Sequence, residues 1–326
     1  MPFSWMPVLR LSFLLLLTLG CLSPVAQAQT HLALAIEQAE RVQLHQHRTW
    51  QRLMYAEDQA QSEIGYTGYF YHPDGRQNLK AELIASVEQL FIPQPDNLSI
   101  QCRFPARSTF LIQQLGLNSN ALPTVECSEY QSWLNTISPH QIVFIYATDF
   151  MGNPSSMFGH TLLRVDPDKS KDLSLVSYAI NYAATVGSEQ SWSYAWKGLT
   201  GQYNGEYSLM PYYHKVKEYG DFESRDLWEY ELNLNQEETA FLMAHLWEMK
   251  HVSFPYYFIS DNCAYRLLGL FDLVRPELNL KKQFNMVSIP VETIKALDDA
   301  GLIAKSTIDQ LWQRSCWHKN SNTGNF

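Results

Sequence analysis

The distribution of apolar residues predicts helices in the first half of the chain and mainly strands in the second half. In residues 31–58 apolar side chains recur at helical spacing, and residues 79–91 show a second helical pattern that ends before two prolines. Residues 65–71 are rich in aromatic side chains and lead to the turn signal Pro73-Asp74-Gly75, which favours a strand or an extended segment. Residues 99–128 are predicted to form a loop, bounded by cysteines, with a short helix inside it.

The segments that follow residue 139 have the pattern of strands. Residues 141–148 form a nearly continuous apolar run that suits a buried strand, and residues 160–166 and 173–184 are predicted to be the next two strands. Residues 226–232 alternate apolar and polar positions, as a half-exposed strand does. Because these segments follow each other closely, we expect them to pair as an antiparallel sheet.

Helical patterns return towards the end of the chain. Asn235 and Glu238 form a capping-box pattern, which predicts the start of a helix, and residues 290–301 predict another short one. The chain shows no internal repeat and no linker that would divide it. The mixture of helices and an antiparallel sheet therefore predicts a single α+β domain.

Between these two helices, the sequence predicts a helix with a cysteine in its first turn. Asp261 is a favourable N-cap, Leu267 and Leu268 fall on one helical face, and Pro276 ends the run. Cys263 would then lie where unpaired backbone N–H groups and the helix dipole favour a negative charge. Such a thiol is expected to have a lowered pKa, which is the physical basis of a nucleophilic cysteine.

The first 28 residues have the features of an export signal. Arg10 precedes an apolar run over residues 11–19, and Ala26-Gln27-Ala28 is a small-residue cleavage site, so we expect export to the periplasm and cleavage after Ala28. Cys21 follows a partial lipoprotein box, which leaves lipidation of Cys21 as an alternative. No later stretch reaches the length of about 20 apolar residues that spans a bilayer, so we expect a soluble or peripheral protein.

Composition and charge narrow the class of partner. The 326 residues are 46% hydrophobic and 17% charged, which is ordinary for a globular protein of this length. The net charge of -9 argues against nucleic acid, because a phosphate-binding surface needs a basic excess.

Four cysteines remain once the leader is removed. In an oxidising compartment Cys102 and Cys127 are the natural pair, which leaves Cys263 as a free thiol. Cys316 lies in a polar tail and can pair with any of the others, so its partner stays open.

Three polar residues can converge on one site in this arrangement. His160 begins one predicted strand, Asn181 lies in the next, and Cys263 lies at the helix start. In such a triad the thiolate attacks an acyl carbon, the imidazole moves the proton, and the amide orients the imidazole. The sequence alone also allows a metal site built from His160, His214 and Cys263 with Asp261, or purely structural roles.

Six segments of the chain together carry a resemblance to a known family. They are residues 102–107, 153–164, 178–184, 219–230, 260–265 and 289–290. Taken in order, they resemble the Lnb-type N-terminal periplasmic domain family, whose members are linked to N-acylation of bacterial lipoproteins. The order of histidine, polar residue and Asn-Cys at a helix start also resembles permuted papain-like enzymes, including the lecithin:retinol acyltransferase group.

This resemblance implies a fold and a division of the chain. The fold would be a permuted papain-like core, in which the antiparallel sheet packs on the nucleophile helix, with an N-terminal helical extension. The corresponding boundaries are a signal peptide at 1–28, the extension with its cysteine-bounded loop at 29–138, the catalytic core at 139–310 and a polar tail at 311–326.

The resemblance also implies a reaction. Cys263 would be the nucleophile, His160 the base and Asn181 the orienting residue of a thiol acyltransferase that needs no cofactor. Its partners would be a phospholipid acyl donor and a lipoprotein acceptor, reached by peripheral contact with the membrane.

Two alternatives remain open at the level of the sequence. The first is a thiol amidase or peptidase that acts on peptides or peptidoglycan with the same triad. The second is a non-catalytic periplasmic binding module, in which Cys263 is buried or bonded to Cys316 and His160 completes a core hydrogen bond.

Overall fold

The protein is described here by a computed structural model that covers residues 24–57, 59–150, 157–168, 176–185, 192–223, 225–284 and 286–304. Most of the predicted leader, including Cys21, lies outside these residues, and so does the predicted tail with Cys316. The first described helix runs through Ala28, the predicted cleavage site.

The described residues form eleven α-helices. In chain order they are α1 (Pro24–Arg41), α2 (Arg48–Leu53), α3 (Leu79–Leu90), α4 (Ile100–Arg103), α5 (Pro105–Leu115), α6 (Ser128–Ile137), α7 (Trp192–Leu199), α8 (Tyr212–Val216), α9 (Gln236–Glu248), α10 (Cys263–Val274) and α11 (Pro290–Asp299). A π-helical segment, Lys217–Phe222, continues directly from α8.

Six described strands form one antiparallel sheet in the order β5-β1-β2-β3-β4-β6. They are β1 (Pro139–Ala147), β2 (His160–Pro167), β3 (Tyr178–Thr185), β4 (Tyr203–Pro211), β5 (Leu227–Glu231) and β6 (Ser253–Tyr256). The predicted α+β class is therefore confirmed, and the four strands predicted after residue 139 correspond to β1, β2, β3 and β5.

The helix predicted over residues 31–58 is interrupted. The backbone of Gln43 is left-handed with φ 49°, so α1 ends before it and a separate α2 begins after it. Left-handed backbone at a residue other than glycine cannot continue an α-helix. The predicted start of α9 is correct, because the side chains of Asn235 and Glu238 form a complete capping box.

Of the two predictions for residues 65–71, the strand is wrong, whereas extended backbone is found at Tyr66 and Phe70. This segment contains a 3-10 turn, Thr67–Tyr69, and its backbone is held by buried side chains rather than by a neighbouring strand. The Glu82 carboxylate accepts the N–H of Tyr71 at 2.9 Å, and Arg107 Nη2 donates to the carbonyl of Tyr69 at 2.9 Å. Backbone groups satisfied in this way need no sheet partner.

The predicted loop over residues 99–128 is more ordered than expected. It contains α4 and α5, and the disulfide joins Cys102 in α4 to Cys127, the residue before α6. The predicted pairing of these two cysteines is confirmed. Phe104 separates α4 from α5, and Pro105 occupies the first position of α5, where its missing N–H costs nothing.

The sheet has apolar layers on both faces. One face packs on α9 and α10 through residues such as Leu163, Ile180 and Phe271. The other face packs on α8 and the π-helical segment, where Tyr212 and Tyr219 cover the middle strands. A third cluster joins the N-terminal helices to β6 and to the start of α10. The N-terminal helical region is thus packed against the elements that carry the predicted site.

Within the described part of the chain, no helix is both long enough and apolar enough to cross a membrane.

Candidate active site

Cys263 is the first residue of α10, but its helix is capped by Asn262 rather than by Asp261 as predicted. Asn262 Oδ1 accepts the N–H groups of Ala264 at 3.1 Å and Tyr265 at 3.3 Å. Its Nδ2 donates to the carbonyls of Phe258 at 3.1 Å and Ser288 at 2.7 Å, so the capping side chain is fixed from both ends.

Asp261 does not cap the helix because its carboxylate pairs with a buried arginine. The Arg266 guanidinium forms ion pairs with Asp261 and, at 2.7 Å, with Glu63. Arg266 is buried, and a buried charge is costly unless it is paired. The pairing of Asp261 with this arginine leaves Asn262 to cap the helix.

His160 begins β2 at the point where a glycine turn brings the chain back to the sheet. Gly159 has a φ of 88°, and a Cβ at this position would lie 2.6 Å from the Tyr146 ring and 2.9 Å from the Ala147 carbonyl. Ala147 is the sheet partner of His160. Only glycine fits this close approach, so Gly159 determines the point at which β2 begins and, with it, the position of His160.

The third predicted residue, Asn181, is brought to His160 by the register of the sheet. Asn181 in β3 lies opposite Leu162, and Leu162 shares a face of β2 with His160 because side chains alternate along a strand. His160 Nε2 and Asn181 Oδ1 are 2.7 Å apart. With the amide oxygen as acceptor, Nε2 carries the proton, and Nδ1 is the ring nitrogen left for the thiol.

The His160 imidazole and the Cys263 thiol each shift the pKa of the other. Burial opposes ionisation of the thiol, but the neighbouring His160, aided by Thr161, outweighs burial and lowers the pKa of Cys263 to about 7. Burial likewise opposes charging of the imidazole, while the thiolate and Asn181 raise the pKa of His160. The pair therefore favours a thiolate and an imidazolium, which is the reactive state of a cysteine nucleophile.

Cys263 is a free thiol and only 2% exposed. The predicted triad of Cys263, His160 and Asn181 is thus assembled in one place. This arrangement can form an acyl-enzyme, because it contains a nucleophile, a neighbouring base that lowers the pKa of the nucleophile and a group that orients the base.

Several residues that sequence reasoning missed complete the site. Tyr256 lies in the same buried cluster as Cys263, and burial together with the charge of Cys263 raises the pKa of Tyr256 well above its ordinary value. The Tyr219 ring lies 6.1 Å from the His160 ring, centroid to centroid, and Lys215 Nζ lies 5.1 Å from the Tyr219 ring. Neither tyrosine was among the predicted site residues, and Tyr256, seven residues before Cys263, is the nearer of the two to it in sequence.

The rival metal site is not assembled. His214 lies in α8, with its ring 4.1 Å from that of Tyr213. Among the residues that the structure describes, no group of three or more His, Cys, Asp or Glu side chains is placed to hold a metal ion.

Exposed apolar side chains lie beside the start of α10. Trp196 is 62% exposed, Ile259 37% and Met286 84%, and we call these three residues the apolar rim. Their segments are joined by backbone hydrogen bonds, from Phe258 N to the Gly198 carbonyl at 2.9 Å and from Ser288 N to the Ile259 carbonyl at 2.8 Å. Because the cap residue Asn262 binds the carbonyls of Phe258 and Ser288, the rim is attached to the start of the nucleophile helix.

Comparison with known proteins identifies two segments of the chain. A family model described as the Lnb N-terminal periplasmic domain matches residues 129–300, which include the whole described sheet and the helix of Cys263. A second family model, described as a domain of unknown function (DUF7843), matches residues 42–114. No curated protein and no solved structure matches the chain. The periplasmic description agrees with the export predicted from the leader.

Proposed function

The chain belongs to the Lnb N-terminal periplasmic domain family, and on that premise we propose that it is a cysteine-dependent acyltransferase of the bacterial envelope. The observation that carries the proposal is that Asn181 Oδ1 holds the His160 imidazole at 2.7 Å while His160 lowers the pKa of the Cys263 thiol to about 7. The proposed substrates are a phospholipid as acyl donor and the N-terminal amine of a lipoprotein as acceptor.

The first half of the proposed reaction loads the thiol. The Cys263 thiolate attacks the ester carbonyl carbon of the phospholipid, a C–S bond forms, and the π electron pair moves to the carbonyl oxygen. The tetrahedral intermediate then collapses with cleavage of the C–O ester bond. His160 gives its proton to the departing alkoxide, which leaves as a lysophospholipid, and Cys263 carries the acyl group as a thioester.

The second half transfers the acyl group. The acceptor amine attacks the thioester carbon while the now neutral His160 removes a proton from the amine nitrogen. The C–S bond breaks, an amide is formed, and the thiolate and imidazolium are restored. Asn181 keeps the imidazole in one orientation through both halves, as the third member of a triad does.

A permuted papain-like core is the fold that we propose for this site. The support is the chain order, in which the strand of His160 and the strand of Asn181 precede the helix of Cys263. A further support is that the sheet packs on α10, whose first residue is the nucleophile.

The apolar rim supports a lipid as the acyl donor. Its side chains are exposed to solvent while they are attached to the start of α10, so an acyl chain near the thiol would meet apolar surface. Tryptophan in particular favours the boundary between lipid and water. A peptidase or amidase with the same triad gains no comparable support from these residues.

The proposal is tested by mass spectrometry of the protein after incubation with phospholipid vesicles. We expect an added acyl mass on Cys263 that hydroxylamine removes, and transfer of that mass to a diacylglyceryl peptide with a free N-terminal amine. Cys263→Ala should show neither product. A thioester that forms but passes its acyl group only to water would support the thiol hydrolase, and a reactive thiol that never acylates would contradict acyl transfer.

A further inference from the structure

The π-helical segment Lys217–Phe222 brings a buried tyrosine to His160. The segment continues directly from α8, and the N–H of Glu223 bonds to the carbonyl of Glu218, five residues earlier, at 3.2 Å. A π-helical turn is wider than an α-helical turn and occurs frequently at functional sites. Tyr219 lies in this segment, is 3% exposed and belongs to the apolar layer on the sheet.

The Tyr219 ring packs beside the His160 imidazole. The two ring centroids are 6.1 Å apart and the ring planes are inclined at 56°, which is within the range of packed aromatic pairs. Leu162, which shares a face of β2 with His160, belongs to the same buried cluster as Tyr219. Asn181 binds Nε2 of the imidazole, but a single hydrogen bond fixes only one atom of the ring. A second restraint on the orientation of the ring has to come from a packed neighbour.

Tyr219 is itself held in place by Arg225. The guanidinium carbon of Arg225 lies 4.8 Å from the centroid of the Tyr219 ring, and the N–H of Arg225 donates to the Tyr219 carbonyl at 2.9 Å. A guanidinium at this distance is attracted to the ring, and the attraction is stronger away from water. The Arg225 side chain is only 1% exposed, so it restrains both the ring and the backbone of Tyr219.

Arg225 also connects Tyr219 to the strand beside His160. Its guanidinium donates to the carbonyls of Ala147 at 3.1 Å and Thr148 at 2.6 Å. Ala147, the last residue of β1, is the sheet partner of His160. One arginine therefore binds both the end of the neighbouring strand and the ring that packs beside the imidazole.

The cations around the Tyr219 ring are each paired with a carboxylate. Lys215 Nζ lies 5.1 Å from the ring centroid and 2.7 Å from Glu218, and Arg225 pairs with Glu223 at 2.9 Å. An unpaired positive charge near an imidazole opposes its protonation. The pairing limits this effect, so the two cations can hold the ring without preventing the imidazole from taking up a proton.

We propose that Tyr219 is a positioning residue that keeps the His160 imidazole directed at the Cys263 thiol. This inference rests on the proposed thiol chemistry and deepens it. Tyr219 exchanges no proton in either half of the reaction, and its ring restricts rotation of the imidazole about the bond to Cβ. Asn181 and Tyr219 together leave one orientation of the imidazole, in which Nδ1 faces the thiol.

The test compares two variants that each lose one buried ring from the same cluster. Tyr219→Leu removes the ring beside His160, whereas Tyr212→Leu removes a ring of α8 that packs on the guanidinium of Arg164 at 5.2 Å. Tyr212 and Tyr219 are 1% and 3% exposed, so the loss of packing is similar in the two variants. Urea denaturation measures that loss, and the rate of alkylation by iodoacetamide between pH 5 and pH 10 measures the state of the thiol.

We expect only Tyr219→Leu to change the thiol. An imidazole that is free to rotate stabilises the thiolate less, so the midpoint of the alkylation profile should rise by about one pH unit. From a thiol pKa of about 7, this rise slows alkylation at pH 7 by about fivefold, because reactivity follows the thiolate fraction. Tyr212→Leu should keep the wild-type profile.

Two further variants separate positioning from a general loss of structure. Tyr219→Phe keeps the ring and should restore the wild-type midpoint. In a His160→Ala background there is no imidazole to position, so the addition of Tyr219→Leu should leave the profile of His160→Ala unchanged.

Three results would overturn the assignment. They are a wild-type profile in Tyr219→Leu, an equal shift in Tyr212→Leu, and a further shift when Tyr219→Leu is added to His160→Ala. Alkylation requires no acyl transfer, so the positioning role is tested whether or not the protein acylates. A wild-type protein that shows the expected profiles but forms no thioester with phospholipid would contradict the proposed function alone.

Discussion

Asn181 Oδ1 and His160 Nε2 are 2.7 Å apart, and this contact determines which nitrogen of the imidazole faces Cys263. The two residues come from neighbouring strands and meet on one face of the sheet. The reactivity of the thiol therefore depends on a sheet register as well as on the start of a helix.

Removal of the Asn181 amide should leave the base His160 in place but no longer hold its imidazole in one orientation. We expect Asn181→Ala to lower kcat for acyl transfer by about 10²-fold, since the loss of one orienting hydrogen bond weakens general-base catalysis. The matched variant Asn181→Asp keeps an acceptor in place and should retain more activity. Equal activity of Asn181→Ala and the wild type in steady-state assays would show that the imidazole is oriented by other contacts.

The pH dependence of alkylation should show how far His160 lowers the pKa of the Cys263 thiol. Burial alone would raise the pKa of Cys263, but His160 lowers it to about 7, so the thiolate forms as the pH rises through about 7. In His160→Ala we expect the alkylation profile to move up towards or beyond the free-thiol value of about 8.5. The measurement is the alkylation rate between pH 5 and pH 10, and an unshifted profile in the variant would contradict the pairing.

The two asparagine caps offer a matched comparison. Asn235 and Asn262 each cap a helix through the side chain, but only Asn262 lies beside the thiol. Either Asn→Ala variant should lose about 1 kcal/mol of unfolding free energy from the cap, and Asn262→Ala more, because its amide is buried. Only Asn262→Ala should also slow alkylation of Cys263. Denaturant unfolding and alkylation kinetics measure the two effects separately.

The buried ion pair between Arg107 and Glu82 should dominate the stability of the N-terminal region. Both side chains are inaccessible to solvent, with Arg107 Nη1 2.9 Å from Glu82 Oε1. We expect Arg107→Met to lower the free energy of unfolding by about 3–5 kcal/mol, because it leaves a carboxylate buried without its partner. The exposed pair of Lys80 and Glu40 is the control, and Lys80→Ala should cost about 0–1 kcal/mol. Urea denaturation of both variants tests the contrast, and equal losses would contradict it.

Loss of the disulfide should lower the stability of the fold without changing the reactivity of the Cys263 thiol. The bond between Cys102 and Cys127 has a sequence separation of 25, and closing a loop of this length stabilises a protein by about 3.5 kcal/mol in the chain-entropy account. The double variant Cys102→Ser/Cys127→Ser should melt earlier but alkylate at Cys263 as the wild type does. A parallel loss of alkylation would show that the site depends on this bond.

The main elements of the site were predictable because they depend on local patterns. A polar capping residue followed by apolar residues at helical spacing marked the start of α10, and an apolar run marked β1. The cap itself was misassigned, since Asp261 and Asn262 are both good caps and the choice depends on Arg266, whose partner Glu63 is far away in sequence. Tyr256 was missed for a similar reason, because β6 has only four residues and pairs with a strand that ends 42 residues earlier.

The strand predicted over residues 65–71 failed for a reason that no local pattern can show. Its aromatic composition is typical of strands, but the groups that bind its backbone come from Glu82 and Arg107. These side chains lie on helices, and only the tertiary packing brings them to the segment.

The position of the disulfide has one more consequence, which concerns proteases of the periplasm. The segment between α5 and α6 lies in the gap between the two family matches, the first of which ends at residue 114 and the second of which begins at residue 129. Residues 116–126 of this segment lie inside the loop that Cys102 and Cys127 close. A protease that cut the backbone there would leave one molecule of two chains, with the helical region still covalently attached to the half that carries the thiol.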